Sequence, residues 1–540
     1  MLGSYFRAWI VFLFSVSCFL VVGCSELPDE PPTIDARANG GVFDAEMDSE
    51  GRPIPTDAHV PDGALHDVAV QDMGESFDGS LAIDALVTRP DTGGPAPNPD
   101  AGITPPPPPP SLDLLDTVLD LAAPDQRVWA HLIYVDRQTL QPRFVHQSYG
   151  DTGTDADFWP ASTIKMYTAT AALVLLSELN VSIDATATFY RETNGGWVED
   201  ITLSFRELIH RTFNCSSNET YTLLLRFAGL DWLNSEFFVP ANGFERTALM
   251  RGYVTSDARP YAFISTEAQR IVVREGEREF TREHRWSGRS YADDRDCTVY
   301  NDSGTGNCTT PRDMAEHLRR LILHEELPIA DRFPINDEAL AWYRGAGPER
   351  VLNNTAGNNC GGPAYAGVLN VFSNPNYHHK GGTVSEYRAT IQHVQDPSTG
   401  TQYTAAIAVQ SGSGRPLQKA SEELARMAKT PGLYVHLDSL RDHVNPIRAD
   451  LVVISDEPGR LELVTKPYAE DGLNEEGWSP LPGTGVDVDV GETAHSLRSV
   501  CLDRSEQVHI RGRLRADSGR VAWSDLHYVI VDHTQPCQDP

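Results

Sequence analysis

Ser162 and Lys165 stand three residues apart in "FWPASTIKMYTATAALVLLSEL", a spacing that puts both side chains on one face of a first helical turn. A serine hydroxyl becomes a good nucleophile beside a base, and a lysine held neutral can be that base. The setting favours neutrality. From Thr163 onward the segment reads as one helix, apolar nearly all round and therefore buried. Desolvation and the positive end of the helix dipole both disfavour an ammonium there. The plainer reading is a capping serine followed by a lysine that snorkels to water.

Two other stretches place polar groups where a substrate could meet them. In "HRTFNCSSNETYTLLLRFAG", Ser216 and Asn218 lie in a loop between two helices. A hydroxyl there can relay a proton, and an amide can bind a substrate amide. Ser216 and Glu219 also fit an S-x-x-E capping box, which would make the same loop rigid. In "NYHHKGGTVSEYRATIQHV", Lys380 precedes Gly381 and Gly382 at a strand start. Glycines weaken a strand unless something must come close to its backbone. A cation on such an edge suits an anionic, peptide-like ligand. Taken singly, a tight turn with a solvated lysine explains this third stretch equally well.

Taken together, S-x-x-K, S-x-N and K-x-G occur in this order on a helix start, an interhelical loop and a strand. The set resembles that of class A serine β-lactamases and the related penicillin-binding peptidases. "LSFRELIHRTFNCSSNETYTLLL" resembles their helix-loop-helix around the second motif, and "CTTPRDMAEHLRRL" resembles the segment after the omega loop. The resemblance covers about residues 113–430 and implies an α+β fold, an antiparallel sheet plus a helical lobe. It implies that Ser162 is the acylated nucleophile and Lys165 its proton-handling partner. Ser216 would pass a proton to the leaving nitrogen, and Asn218 would hold the acyl side-chain amide. Lys380 and Thr383 would bind the ligand carboxylate on the strand that also carries Gly382, with Arg388 a further carboxylate ligand. The N–H groups of Ser162 and Thr383 would form an oxyanion hole. The implied ligand is a β-lactam or a peptidoglycan stem peptide, with no cofactor and no metal.

The resemblance breaks at the omega loop. Between Asn218 and Thr309 there is no E-x-x-L-N, the pattern whose glutamate activates the deacylating water in class A. Asn301 can stand for the asparagine, but Cys297 occupies the place four residues before it. Asp296 is one residue off and is the candidate substitute base. Ser217 replaces a common aspartate, and Gly381 replaces a threonine or serine. The stretch from Ser216 to Lys380 is also long, with surplus expected within 251–286 and 344–375. Acylation therefore looks fully equipped and deacylation does not. The expected function is β-lactam opening through an acyl-serine, with a D-Ala-D-Ala peptidase or a non-hydrolysing wall-peptide sensor as alternatives.

The elements that must position these residues are legible in outline. "LLDTVLDLA", "SFRELIHRTF", "ETYTLLLRFAG", "PRDMAEHLRRLILHEE" and "PLQKASEELARMAK" read as helices, with Pro311 in a first turn. "RVWAHLIYVD" with "PRFVHQSY", and "SEYRATIQHVQ" with "TQYTAAIAVQSG" across "DPSTG", read as hairpins. Strands from both ends of residues 113–435 would make one sheet beside a helical middle. Residues 440–540 read as a small all-β module, through "ADLVVIS", "RLELVTK", "EQVHIRGRLR" and "LHYVIVDH".

The chain has 540 residues and a formal net charge of −32. Residues 1–24 carry Arg7, an apolar run and Val21-Val22-Gly23 before Cys24, resembling a lipoprotein signal with a lipidated Cys24. Residues 25–112 hold about 17 acidic against about 3 basic residues and end in polyproline, a composition expected of a disordered stalk. An extracytoplasmic, membrane-tethered monomer in the cell envelope is expected, and the acidity argues against nucleic acid as a partner. Cys215, Cys297, Cys308, Cys360, Cys501 and Cys537 suit disulfides, with about 15 possible pairings. Proximity favours Cys297–Cys308 and Cys501–Cys537, leaving Cys215 with Cys360.

Overall fold

The computed structural model describes residues 112–137, 141–149, 157–253, 268–298, 306–347, 349–352, 367–384, 387–441, 446–499 and 506–531. The signal and lipobox with Cys24, the stalk, Asn301, Cys360, Cys501 and Cys537 lie outside them.

Helix α1 (Leu112–Ala122) leads into the hairpin β1 (Arg127–Asp136) and β2 (Arg143–Ser148). A 3-10 turn, Ala161–Ile164, runs into α2 (Lys165–Leu179), followed by a hairpin of β3 (Thr186–Thr193) and β4 (Gly196–Ser204). Helices α3 (Phe205–Asn214) and α4 (Asn218–Ala228) and a short α5 (Leu230–Trp232) come next. A second hairpin, β5 (Gln269–Glu275) and β6 (Arg278–His284), precedes α6 (Tyr291–Asp294), α7 (Pro311–Ile322) and α8 (Asp337–Ala341). The domain closes with β7 (Asn376–Val384), β8 (Tyr387–Gln395), β9 (Gln402–Gln410) and α9 (Arg415–Lys429).

The main sheet is antiparallel, in the order β2-β1-β9-β8-β7, so strands from both ends of the domain interleave as the pattern predicts. Successive side chains of its central strands face opposite layers. Val128, Ala130 and Leu132 of β1 and Ala405 and Ile407 of β9 pack with Leu115 and Leu119 of α1 and Leu417 and Leu424 of α9. Trp129 and Ile133 of β1 and Ala406 and Ala408 of β9 face α2 and the Met314, Leu318 and Leu321 stripe of α7. This explains why β9 reads as a continuous apolar run and is buried on both faces. Helix α2 lies in that second core, and every residue from Lys165 to Leu176 is buried. It is therefore a central helix, as its apolar circumference requires, but it starts at Lys165 and not at Thr163.

The surplus after Ser216 has a definite form. β5 and β6 add to the β3-β4 hairpin as a four-stranded sheet, β4-β3-β5-β6, which sequence periodicity did not reveal. Arg226 of α4 ties it to the lobe. Its guanidinium donates to Asp200 on β4 (2.9 Å), Gln269 on β5 (2.6 Å) and the carbonyl of Tyr190 on β3 (3.1 Å).

The C-terminal module begins earlier than expected, because β10 (Leu433–Arg441) pairs with β11 (Arg448–Ser455). The remaining strands are β12 (Gly459–Pro467), β13 (Ser479–Pro480), β14 (Val486–Val488), β15 (Gly491–Arg498), β16 (Glu506–Ala516), β17 (Val521–Trp523) and β18 (His527–Val531). They form one three-stranded sheet, β10-β11-β15, and a six-stranded sheet built on β12 and β16. Leu433, Val435, Leu451 and Val453 of the first meet Leu461, Leu463, Ile510 and Leu514 of the second in one core. That is a sandwich. Cys297 and Cys308 form the disulfide that proximity favours, and Cys215 is disulfide-bonded too, to a partner outside the described residues.

Arg226→Met takes from the buried Asp200 carboxylate its 2.9 Å partner and leaves Arg191 at 3.7 Å, and it also leaves Gln269 and the Tyr190 carbonyl without this donor. The expected loss is about 3–5 kcal/mol of unfolding free energy, measured by denaturant titration.

Candidate active site

The site forms where three elements meet: the turn ahead of α2, the loop between α3 and α4, and β7. The turn is fixed at its entry, since Phe158 and Thr309 exchange main-chain hydrogen bonds of 3.0 and 3.4 Å just before α7. Ala161 adopts φ 48°, an uncommon conformation for a residue with a Cβ, and its carbonyl accepts from the Tyr253 hydroxyl at 3.3 Å. Backbone of this kind persists where the surroundings over-determine it. Ser162 follows, half-buried, with fully buried Lys165 one turn below.

Lys165 Nζ lies within hydrogen-bonding distance of Ser162 Oγ (3.0 Å), Ser216 Oγ (3.1 Å), Asn218 Oδ1 (2.8 Å) and the carbonyl of Ser216. From the opposite side Lys380 Nζ donates to the same Ser216 Oγ at 3.0 Å and to the carbonyl of Gly381 at 3.0 Å. Ser162, Lys165, Ser216, Asn218 and Lys380 are thus one connected cluster, although 218 residues separate its ends in sequence. Desolvation, reinforced by the nearby Lys380 charge, pushes the Lys165 ammonium down to about 6. Burial pushes Lys380 down to about 8. At neutral pH Lys165 is therefore mostly an amine, and Lys380 mostly an ammonium. No carboxylate takes part in the described hydrogen bonds of either lysine.

The loop differs from the capping-box expectation. Ser217, not Ser216, caps α4, accepting from the N–H of Thr220 at 3.2 Å. Ser216 itself sits at φ 47°. With the cap supplied by its neighbour, the Ser216 hydroxyl is left to bridge the two lysines. Asn218 opens α4 with its amide oxygen turned to Lys165.

Strand β7 explains its glycines. A Cβ on Gly382 would lie 2.8 Å from Ser162 N and 2.9 Å from Thr163 N, so only glycine lets the strand backbone reach the Ser162 turn. Thr383 is the next residue, exposed, and pairs across the ladder with Arg388. The two side chains share a face of the sheet. The Arg388 guanidinium reaches back to the carbonyls of Tyr387 (3.2 Å) and Gly412 (3.4 Å). Asp296 is not brought to the cluster by any described contact. It is exposed, at φ 52°, with its carbonyl accepting from Arg246 at 2.5 Å.

Sequence reasoning missed Tyr253 and the strained Ala161, because neither belongs to a spacing pattern. It also missed Asp313, a buried carboxylate that accepts from the N–H groups of Glu245 (3.0 Å) and Arg246 (2.9 Å) and the Thr247 hydroxyl (2.7 Å). Its place beside Pro311, inside an N-cap set by Thr310, was the available signal. Asp157, Cys297 and Cys308 converge, but both sulfurs are in the disulfide, so they do not make a metal site.

No family model matches the chain, and no curated protein does. Among solved structures it is similar to a TLA-1 extended-spectrum β-lactamase variant at 14% identity and TM-score 0.36, over 59% of this chain and 97% of that one. It is similar to a PBP-A mutant in acyl-enzyme complex with penicillin G at 16% identity and TM-score 0.38, over 59% and 98%. A class A β-lactamase from Bacteroides cellulosilyticus DSM 14838 gives 13% identity and TM-score 0.36, over 59% and 96%.

Gly382→Ala forces β7 away from the Ser162 turn. A displacement on the order of 1 Å at reacting atoms lowers rates about 100-fold. For the acyl-serine chemistry expected from the sequence, the predicted result is a drop of that size in acylation of Ser162, followed by intact mass, with the melting transition retained.

Proposed function

We propose that the chain is a class A β-lactamase-like serine hydrolase that opens β-lactams through an acyl-serine. The observation that carries this reading is a half-exposed serine hydroxyl 3.0 Å from a buried lysine whose ammonium form is destabilised to about 6. In the proposed acylation Ser162 Oγ attacks the lactam carbonyl carbon, and its proton passes to neutral Lys165. The carbonyl π electrons move to oxygen, which faces the N–H groups of Ser162 and Thr383. Collapse breaks the C–N bond, and the nitrogen takes a proton from Ser216. Lys165 restores that proton and returns to the amine. Lys380 stays an ammonium and, with Thr383 and Arg388, attracts the ligand carboxylate. The lipidated Cys24 would tether the enzyme in the cell envelope.

A second reading, a D-Ala-D-Ala peptidase or a wall-peptide sensor, is favoured by one feature. The described contacts put no carboxylate beside the cluster, and Asp296 makes none with it. Hydrolysis of the ester would then fall to Lys165, and the acyl-enzyme would be long-lived.

Incubation with a chromogenic β-lactam, followed by intact mass, separates the outcomes. Turnover supports the first reading and a stable adduct on Ser162 the second. No adduct at all overturns both. Ser162→Ala should abolish adduct and turnover together.

The pH profile is a further test. Lys165 must lose its proton to act, so acylation rises as pH increases through about 6. Lys380 must keep its proton to hold an anion, so the rate falls above about 8. A bell with its maximum near 7 is expected. In Lys380→Met the lost repulsion raises the Lys165 pKa, and the ascending limb moves to higher pH.

A further inference from the structure

The seam between α9 and the C-terminal sandwich contains a buried guanidinium, that of Arg511, whose hydrogen-bonding capacity is only partly used among the described residues. Arg511 of β16 is only 5% exposed. Its one hydrogen bond runs from Nε to the carbonyl of Ser524 at 2.9 Å, and its guanidinium lies 5.2 Å from the Trp523 ring centre. Both Nη groups are left without an acceptor among the described residues. The other cations beside it each hold a carboxylate at short range. Arg426 pairs with Glu422 and donates to the same Ser524 carbonyl at 2.9 Å, and Lys429 pairs with Glu475 at 2.7 Å. Burial, then the charge of Arg426, pushes the Arg511 guanidinium down to about 9, with Glu475, Asp525 and Glu422 acting in the opposite direction but none of them hydrogen-bonded to it.

The space against Arg511 is of a suitable kind. Arg511, Arg426, Lys429, Asn370, Thr430 and Trp523 line a cavity of about 20 Å³. That holds one water-sized group. Its walls at Asn370, Lys429, Leu473 and Glu475 are shared with a groove of about 430 Å³, lined further by Asp396, Asp471, Asn474, Leu369 and Phe372. The inner end is small and carries Arg511, Arg426 and Lys429 against one lining carboxylate, Glu475. The outer groove is acidic and partly apolar, which disfavours a dianion and admits an uncharged or cationic body.

We propose that this seam is a second binding site, taking the carboxylate end of a peptide-like ligand against the Arg511 guanidinium and its uncharged or cationic body in the groove. Charge-assisted hydrogen bonds from the free Nη groups would supply the recognition. The site is separate from the serine cluster and does not depend on the reading given to that cluster.

Calorimetric titration of the purified full chain with the tripeptide Ala-Ala-Ala, its C-terminal amide and inorganic phosphate tests this. Saturable binding of the free acid and none of the amide is expected. Arg511→Gln should weaken it by about tenfold or more. Lys429→Gln, at a partly exposed position, should weaken it also and guards against a folding defect in the first variant. Equal binding of acid and amide, no saturable binding, or unchanged affinity in both variants overturns the proposal. Phosphate binding tighter than the peptide would overturn the carboxylate assignment in favour of an inorganic oxyanion.

Discussion

The site depends on the desolvation of one amine. Lys165 lies inside a helix that is buried on every side, and the chain surrounds it with oxygen acceptors and a second cation but with no described carboxylate. A buried ammonium in such a place loses its hydration and gains only neutral hydrogen bonds. The amine form relieves that cost, and the amine form is a base. The remaining architecture follows from keeping this group dry while leaving Ser162 in reach of solvent. Apolar α2 goes to the middle of the domain, and α4 and β7 converge on its N-terminal end.

Convergence of this kind needs the two ends of the domain to meet. The sheet order β2-β1-β9-β8-β7 lets the last three strands close over a helical lobe that the first two strands precede. It thereby carries Lys380 to a serine far earlier in the chain. The contact is at backbone level, since Gly382 lies against Ser162 N and Thr163 N. Strain collects at the same place, with Ala161 and Ser216 both at positive φ. Residues held this way have their polar groups aimed before any ligand arrives, which is the condition for electrostatic stabilisation without reorganisation.

Much of this could be read in the sequence, for identifiable reasons. The Ser162–Lys165 spacing, the apolar circumference of α2 and the glycines of β7 are local patterns with direct physical meaning. The unlettered parts were those decided by tertiary context. Ser216 and Ser217 are chemically identical, and only the backbone angle at Ser216 shows which one caps α4 and which one bridges the lysines. The β5-β6 hairpin is "QRIVVRE" and "REFTREH", too charged to alternate cleanly, because ion pairs such as Arg274–Glu279 at 2.9 Å face water. β10 was hidden because it follows α9 directly and its pairing with β11 is not announced by any turn signature. The candidate base Asp296 rests on an approximate match in sequence; its side chain is exposed and makes no described contact with the cluster.

On the proposed mechanism the two halves of the reaction make opposing demands on the same few ångströms. A carboxylate within hydrogen-bonding reach of Lys165 would serve as a base for water, but it would also raise the lysine pKa and return the amine to its ammonium form. Lys380 acts in the other direction. Placed across the shared Ser216 hydroxyl, it lowers the Lys165 pKa and so favours the first proton transfer. A site that keeps its base neutral by burial, with a second cation adding to the effect, is suited to forming the acyl-serine. Its release then depends on the same amine acting again, after the proton it took from Ser162 has gone by way of Ser216 to the departing nitrogen.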